Sequence, residues 1–194
     1  VVNAGDMTYK QRNELLAVMT EEVGDLVLCD NYLQTQALSL AKAQSSSMFD
    51  VPVRSNRKME SNGQLARAIE FLPAEDEVLE RRNEGLGLYA PELSVLMAYV
   101  KIELFKELMS SGIADDAFFT DALVAYFPRH LREQYASRMR EHQLSAEIIN
   151  TIIANEVVNR AGITYCFRLH EETGASVADI CRAYFVGLFP KSGG

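Results

Sequence analysis

The sequence is poor in cysteine and has no excess of positive charge. It also lacks an apolar run long enough for a membrane and any stretch that alternates as a strand does. Each absence removes a class of function. Three cysteines, Cys29, Cys166 and Cys181, are an odd number at spacings that match no metal-ligand pair, and no charged-then-apolar leader precedes them, so a reducing cytoplasm is the expected compartment. The longest apolar run in the middle of the chain is "VLMAYV", against the ~20 residues of a membrane-crossing helix, so no membrane is expected as a partner. With 19 Lys and Arg against 27 Asp and Glu, the formal net charge of -8 repels phosphate backbones and no nucleic-acid partner is expected. The local basic clusters "RSNRK" and "RHLREQYASRMR" read as solvated helix faces.

What is present is helix. A chain of 194 residues with 48% hydrophobic content can bury a core. Thr8 stands three residues before Gln11, a reciprocal capping pair, and Leu15, Leu16 and Met19 follow at helical spacing. A second helix is expected to begin at Thr20, carry Val23, Leu26, Val27, Leu33, Ala37, Leu40 and Ala41, and fade at "QSSS". Three serines and Pro52 make "SSSMFDVPVRSN" the best boundary in the chain. The pattern then predicts a helix over 50–62 closed by Gly63, a short helical turn at "QLARAIE", and an acidic helix start at "AEDEVLERR".

The "GLGLYA" of residues 85–90 spells a dinucleotide-binding turn, but such a turn leaves a buried strand, and here the preceding "EVLERRNE" is charged and helical in period. Gly85 therefore reads as a helix stop, Gly87 as loop, and Pro91 as the start of the next helix. That helix, 91–110, carries Leu93, Leu96, Met97, Val100, Leu104 and Leu108 on one face, widened by Tyr99, Ile102 and Phe105, which predicts a central, largely enclosed element. Gly112 ends it. "DDAFFTDALVAYF", "PRHLREQYASRMREH", "SAEIINTIIANEVVNRAG", "TYCFRLHEETG" and "SVADICRAYFVGLF" complete the series, the last opened by a Ser176/Asp179 capping pair. In the third of these a strand is the rival reading, but Ile148, Ile149, Ile152, Ile153 and Val157 recur at three and four, so helix wins. The expected fold is all-α, an irregular bundle of roughly nine to eleven helices.

No chemistry emerges from these residues. The positions three before His130, His142 and His170 are Phe127, Met139 and Phe167, so the Glu-x-x-His of di-iron bundles is absent. "LHEETG" starts like a zinc-protease helix, but Gly174 stands where the second histidine belongs. Asp115 and Asp116 read as a helix cap with a dipole-favoured neighbour, and Cys29 as a small apolar filler rather than a reactive thiol. The expected catalytic, cofactor-binding and metal-binding residues are none. Two polar clusters do stand out: Asp30, Asn31, Gln34 and Gln36 in "CDNYLQTQ", and Asn155 with Asn159 one helical turn on. Amides so placed commonly satisfy buried carbonyls, with a ligand or partner surface as the sharper alternative.

Taken in order, "GDMTYKQRNELLAVMTEEVGDLVLCDNYLQTQALSLA", "LARAIEFLPAEDEVLERRNEGLGLYAPELSVLMAYVKIEL" and "HQLSAEIINTIIANEVVNRAGITYCFRLHEETGASVADICRAY" resemble the large bacterial NAD-specific glutamate dehydrogenases. The first string resembles the helical end of that family's catalytic region, the others its C-terminal helical region. Tyr89, where a Thr or Ser cap would precede "PEL", and the irregular "FDVPVRSNRKM" depart from the family pattern. The resemblance implies an oxidoreductase parent that converts L-glutamate, NAD and water to 2-oxoglutarate, ammonium and NADH, with the catalytic residues and the nucleotide turn lying before Val1. The opening "VVNAGD" and closing "FPKSGG" read as the cut ends of a fragment. Residues 1–46 are then expected to be helices ending the catalytic region, and 47–194 a C-terminal helical domain with a structural, oligomerisation or regulatory role. Its expected partners are the remaining catalytic domains and other copies of the chain, with NAD a cofactor of the parent and none in this segment. An independent helical interaction or effector-binding module is the alternative. Detached from their natural partner, the first two helices are expected to pack back on the bundle or on a second copy.

Overall fold

The computed structural model describes residues 7–188, so the opening "VVNAGD" and the closing "FPKSGG" lie outside the described residues. Nine α-helices and no strand occur among them. The first, α1 (Tyr9–Gln44), runs unbroken for 36 residues, where the sequence predicts two helices. The capping pair forms as expected: the Thr8 N–H donates to Gln11 Oε1 at 2.9 Å, and Gln11 N–H donates to Thr8 Oγ1 at 3.3 Å. Thr20, the expected second cap, instead turns its hydroxyl back to the Leu16 carbonyl at 2.8 Å, a bond made inside a continuous helix. Gly24 alone does not stop α1, because glycine in a helix interior costs only about 1 kcal/mol relative to alanine. The stop comes at the serines, where Ser45 and Ser47 donate their hydroxyls to the Lys42 and Gln44 carbonyls.

Next come α2 (Asp50–Ser61) and α3 (Glu75–Asn83), joined by a segment in which "QLARAIE" makes one hydrogen-bonded turn. Gly63 and Gly85 follow these two helices with φ of 69° and 70°, the left-handed geometry that lets glycine close a helix. Phe71 takes a φ of 52° without being glycine, and its ring is 92% exposed. Around it, Arg67 bonds the Pro73 carbonyl and the Glu60 carboxylate, and Tyr99 donates to Glu70 at 2.6 Å. These contacts hold the loop in a conformation that a bulky residue adopts only under constraint.

The central helix is α4 (Ala90–Ser111). Leu93, Leu96, Met97, Leu104 and Leu108 are buried on one face, and Gly112 ends it at φ 70°. The opposite face is solvent-lined, with Ile102 exposed, so the helix is amphipathic rather than enclosed. Two short 3-10 turns, Ile113–Asp115 and Ala117–Phe119, lead into α5 (Thr120–Tyr126), followed by α6 (Arg129–Arg140), which kinks at Tyr135. α7 (Ser145–Glu156) continues without a break into a π turn, Val157–Ala161, and α8 (Tyr165–Thr173) and α9 (Val177–Leu188) finish the chain. Ser176 caps α9 as expected, accepting from the Asp179 N–H at 3.2 Å.

α4 packs against α1, α7 and α9 around the main core, in which Leu96, Leu108, Ile113, Ile153 and Cys181 lose all contact with water. A smaller core joins Phe49, Val53, Val78, Leu88 and Leu93, and Leu38 and Ala41 of α1 touch both. The Arg81–Glu92 pair, each residue 9% exposed, locks α3 to α4: one guanidinium nitrogen reaches both carboxylate oxygens at 2.8 and 2.9 Å. Glu92 also accepts the Tyr89 N–H at 2.7 Å, supplying from the third helical position the cap that Tyr89 does not provide. Gly87 has a separate reason to be glycine: an added Cβ would lie 1.9 Å from Ser45 Oγ and 2.7 Å from its backbone carbon. The "GLGLYA" loop thus approaches the end of α1 closely at Gly87.

Two substitutions test this account by thermal unfolding. Gly87→Ala should destabilise by about 1–3 kcal/mol through overpacking against Ser45, whereas Gly24→Ala, with open space around it, should stabilise by about 0.5–1 kcal/mol. Equal effects of the two would sink the close-approach reading. The acid limb offers a second check. Hydrogen bonds from Arg57 and Arg54 hold the Glu75 and Glu171 carboxyls below the usual carboxylate range. Their contribution is therefore present above the unfolded-state value and disappears as pH falls through the lower folded values. A Glu75→Gln/Glu171→Gln variant should lose less unfolding temperature than the parent between about pH 5 and pH 3.

Candidate functional site

The two polar clusters that interrupt apolar helices in the sequence meet in the fold. Asp30, on α1, accepts from Asn159 Nδ2 at 3.2 Å through one carboxylate oxygen and from Gln34 Nε2 at 2.6 Å through the other. Asn159 comes from the π turn, 129 residues away in sequence. Within that widened turn Val157, Val158 and Asn159 are all buried, so the turn aims three successive side chains into the protein. Lys101 approaches from α4. Burial holds its ammonium below the usual lysine range, and the nearby Asp30 charge opposes that shift. Asn159 Oδ1 is buried with no hydrogen-bond partner among the described residues.

This arrangement can fix α1 in register against α4 and the π turn. Both Asp30 oxygens are engaged in it. No group of three or more His, Cys, Asp or Glu able to hold a metal occurs among the described residues. The other sequence candidates are used locally or lie apart. Asn31 lends its carbonyl to the Thr35 hydroxyl, and Gln36 donates to the Tyr32 hydroxyl at 2.8 Å. His130 is exposed on α6; His142 Nδ1 accepts the Leu144 N–H at 3.1 Å; His170 Nδ1 bonds the Ala175 carbonyl at 2.9 Å. Asp116 caps the second 3-10 turn through the Phe118 N–H at 3.0 Å. Cys29, expected as an apolar filler, is exposed, because it lies on a face of α1 turned away from the joint that its neighbour Asp30 makes. Cys166 and Cys181 are buried together, and their mutual hydrogen bond with burial pushes the Cys181 thiol up, away from nucleophilic character.

Sequence reasoning missed the pairing of Asp30 with Asn159 and the role of Lys101. Each cluster was visible by its polarity, but nothing local joined them.

The described residues thus define a helical bundle with a polar joint, in which the seam runs between one long helix and the remainder. The family model for the C-terminal region of glutamate dehydrogenase matches residues 85–188, and that for the catalytic domain of bacterial NAD-glutamate dehydrogenase matches residues 1–41. The chain belongs to the glutamate dehydrogenase C-terminal family. It is 47% identical over 186 residues to the NAD-specific glutamate dehydrogenase of Pseudomonas aeruginosa, covering 96% of this chain and 12% of that protein. The corresponding enzyme of Halomonas elongata is 45% identical over 186 residues, with the same two shares of 96% and 12%. That of Mycobacterium tuberculosis is 38% identical over 184 residues, or 95% of this chain and 11% of that protein. The chain therefore spans about an eighth of the length of these relatives, 11–12% in each case.

If the joint is energetic and not merely a contact, Asp30→Ala and Asn159→Ala should couple by about 1 kcal/mol in a double-mutant cycle read by denaturant unfolding. Asn159→Asp should cost more than Asn159→Ala, since it sets a second carboxylate beside Asp30. Strict additivity of the two alanine changes would show that the clusters are neighbours without interaction.

Proposed function

We propose that the chain is a non-catalytic helical segment of a longer NAD-specific glutamate dehydrogenase, in which α1 closes the catalytic region and the helices after it form a C-terminal bracing domain. The observation that supports this most directly is the course of the apolar stripe on α1. Its last third packs on the bundle through Ala37, Leu38 and Ala41. Spacings of seven and four carry the same face back through Val27, Val23 and Leu16, all exposed. Leu28 and Tyr32, 68% and 63% exposed, lie on the other side of the helix and are not part of this stripe. The expected packing back onto the bundle is thus deepest at the end of α1, with the Asp30 joint to Asn159 further along it. Glu22 adds a flank contact, accepting the Arg129 N–H at 3.1 Å.

A stripe that begins on the bundle and continues beyond its edge fits a partner placed end to end with the bundle. The match of residues 1–41 to a catalytic-domain model favours the preceding part of the same polypeptide as that partner. The parent reaction, oxidation of L-glutamate to 2-oxoglutarate and ammonium with NAD as hydride acceptor, would then belong to residues outside this chain. The same reading makes homo-oligomer contacts and a cytoplasmic location properties of the parent. No described helix is long and apolar enough to cross a membrane.

Isothermal calorimetry should find no micromolar NAD binding by this chain alone. Replacing Leu16, Val23 and Val27 together by Glu should move its stability by less than about 0.5 kcal/mol, as exposed changes do. The same triple change in the longer enzyme should abolish activity or assembly. Hydrogen exchange gives the direct comparison: amides of 16–32 should be weakly protected in the chain alone and strongly protected in the longer polypeptide. Equal protection in both would leave the stripe without that partner.

A further inference from the structure

We propose that the cleft between α2, α4, α8 and the start of α9 is a binding site for a small amphipathic monocarboxylate. The inference needs only this chain and stands whether or not the bracing role holds.

The cleft has a volume of about 340 Å³, within the range of small-molecule sites. Its inner wall is apolar, built from Met59, Val100, Leu104, Cys166 and Val177. One mouth opens onto a basic groove that shares Lys58, Phe167 and His170 with it and adds Arg54 and Arg57. These cations are the "RSNRK" cluster of the sequence, and they are not equivalent. Arg54 is neutralised by Glu171 through bonds of 3.3 and 2.9 Å, and Arg57 by the Glu75 carboxylate. Lys58 has no carboxylate partner among the described residues; its ammonium rests 5.7 Å from the centre of the Phe167 ring. The Lys58 ammonium, near enough to Glu171 to lower that carboxyl but not ion-paired with it, stands at the mouth that the apolar chamber shares with the basic groove. His170, fixed through Nδ1 to the Ala175 carbonyl, leaves its second ring nitrogen uncommitted at the same mouth.

The cleft is lined by carboxylates as well. Glu103 is engaged by Lys106 at 2.8 Å and by the Gln64 amide, while Glu107 has no ion-pair partner among the described residues. A ligand with one carboxylate at Lys58 and an apolar body over Met59 and Leu104 meets every wall favourably. A dicarboxylate would direct its second charge at Glu103 and Glu107, and a cationic head would meet Lys58. Polarity along the cleft thus selects a single anionic head on an apolar tail.

Four probes of one chain length separate the terms: octanoate, octanol, octylamine and the dicarboxylate suberate. By calorimetry and thermal shift on the intact chain, octanoate should bind saturably and raise the unfolding midpoint, and each of the others should bind at least about tenfold more weakly. Lys58→Met, an exposed change that leaves the fold intact, should weaken octanoate about tenfold and leave octanol unchanged. Nuclear Overhauser contacts from the octanoate tail to the Met59 and Val177 methyl groups should place it in the chamber. The proposal is overturned by absence of saturable octanoate binding, by equal binding of octylamine or suberate, by a Lys58→Met variant that binds octanoate as the parent does, or by tail contacts elsewhere.

Discussion

A helix of 36 residues is about 54 Å long, while the central helix of this bundle, at 22 residues, reaches only about 33 Å. That mismatch governs the rest of the structure. However α1 is laid against α4, roughly a third of it must project, and the residues that project carry the same apolar stripe that is buried at its other end. Helical periodicity gives the stripe no reason to stop at the bundle's edge. What changes there is only the presence of a neighbour. An isolated projecting helix gains little from propensity, and here it is supported by its capping box, the exposed Lys10–Glu14 pair at 3.9 Å and the Glu22 contact to α6.

Where α1 does meet the bundle, apolar and polar contacts have different tasks. Ala37, Leu38 and Ala41 supply burial, and aliphatic surfaces tolerate sliding by a turn at modest cost. The Asp30 carboxylate does not. It is matched on one side by its own helix through Gln34 and on the other by an amide that only the π turn delivers. Moving α1 by a turn would leave Asp30 half-buried without Asn159, and Lys101 in partial burial without the nearby charge that opposes its desolvation. The junction thus specifies register more than it stabilises, the better-attested use of partly buried polar groups.

Local chemistry was legible in the sequence wherever one residue type has one geometric task. Gly63, Gly85, Gly112 and Gly174 all take positive φ at helix ends, and Thr8/Gln11 and Ser176/Asp179 make the bonds their spacing requires. Thr20 misled because its hydroxyl serves a helix start and a helix interior equally well, and only the absence of a neighbouring breaker separates the two. The left-handed Phe71 had no signal at all, since the contacts that hold it arrive through Arg67 and Glu70 from two different elements. The joint was half legible: polarity marked both clusters, but a contact spanning 129 residues is a property of the fold.

The bracing role proposed above makes specific demands on the helix that would carry it. A bracing element needs length, a continuous apolar seam and a few polar contacts that admit one alignment. α1 provides the first two and Asp30 the third. The Asp30–Asn159 bond joins a helix matched to the catalytic-domain model to a turn matched to the C-terminal model, so sliding the one along the other would require breaking that bond.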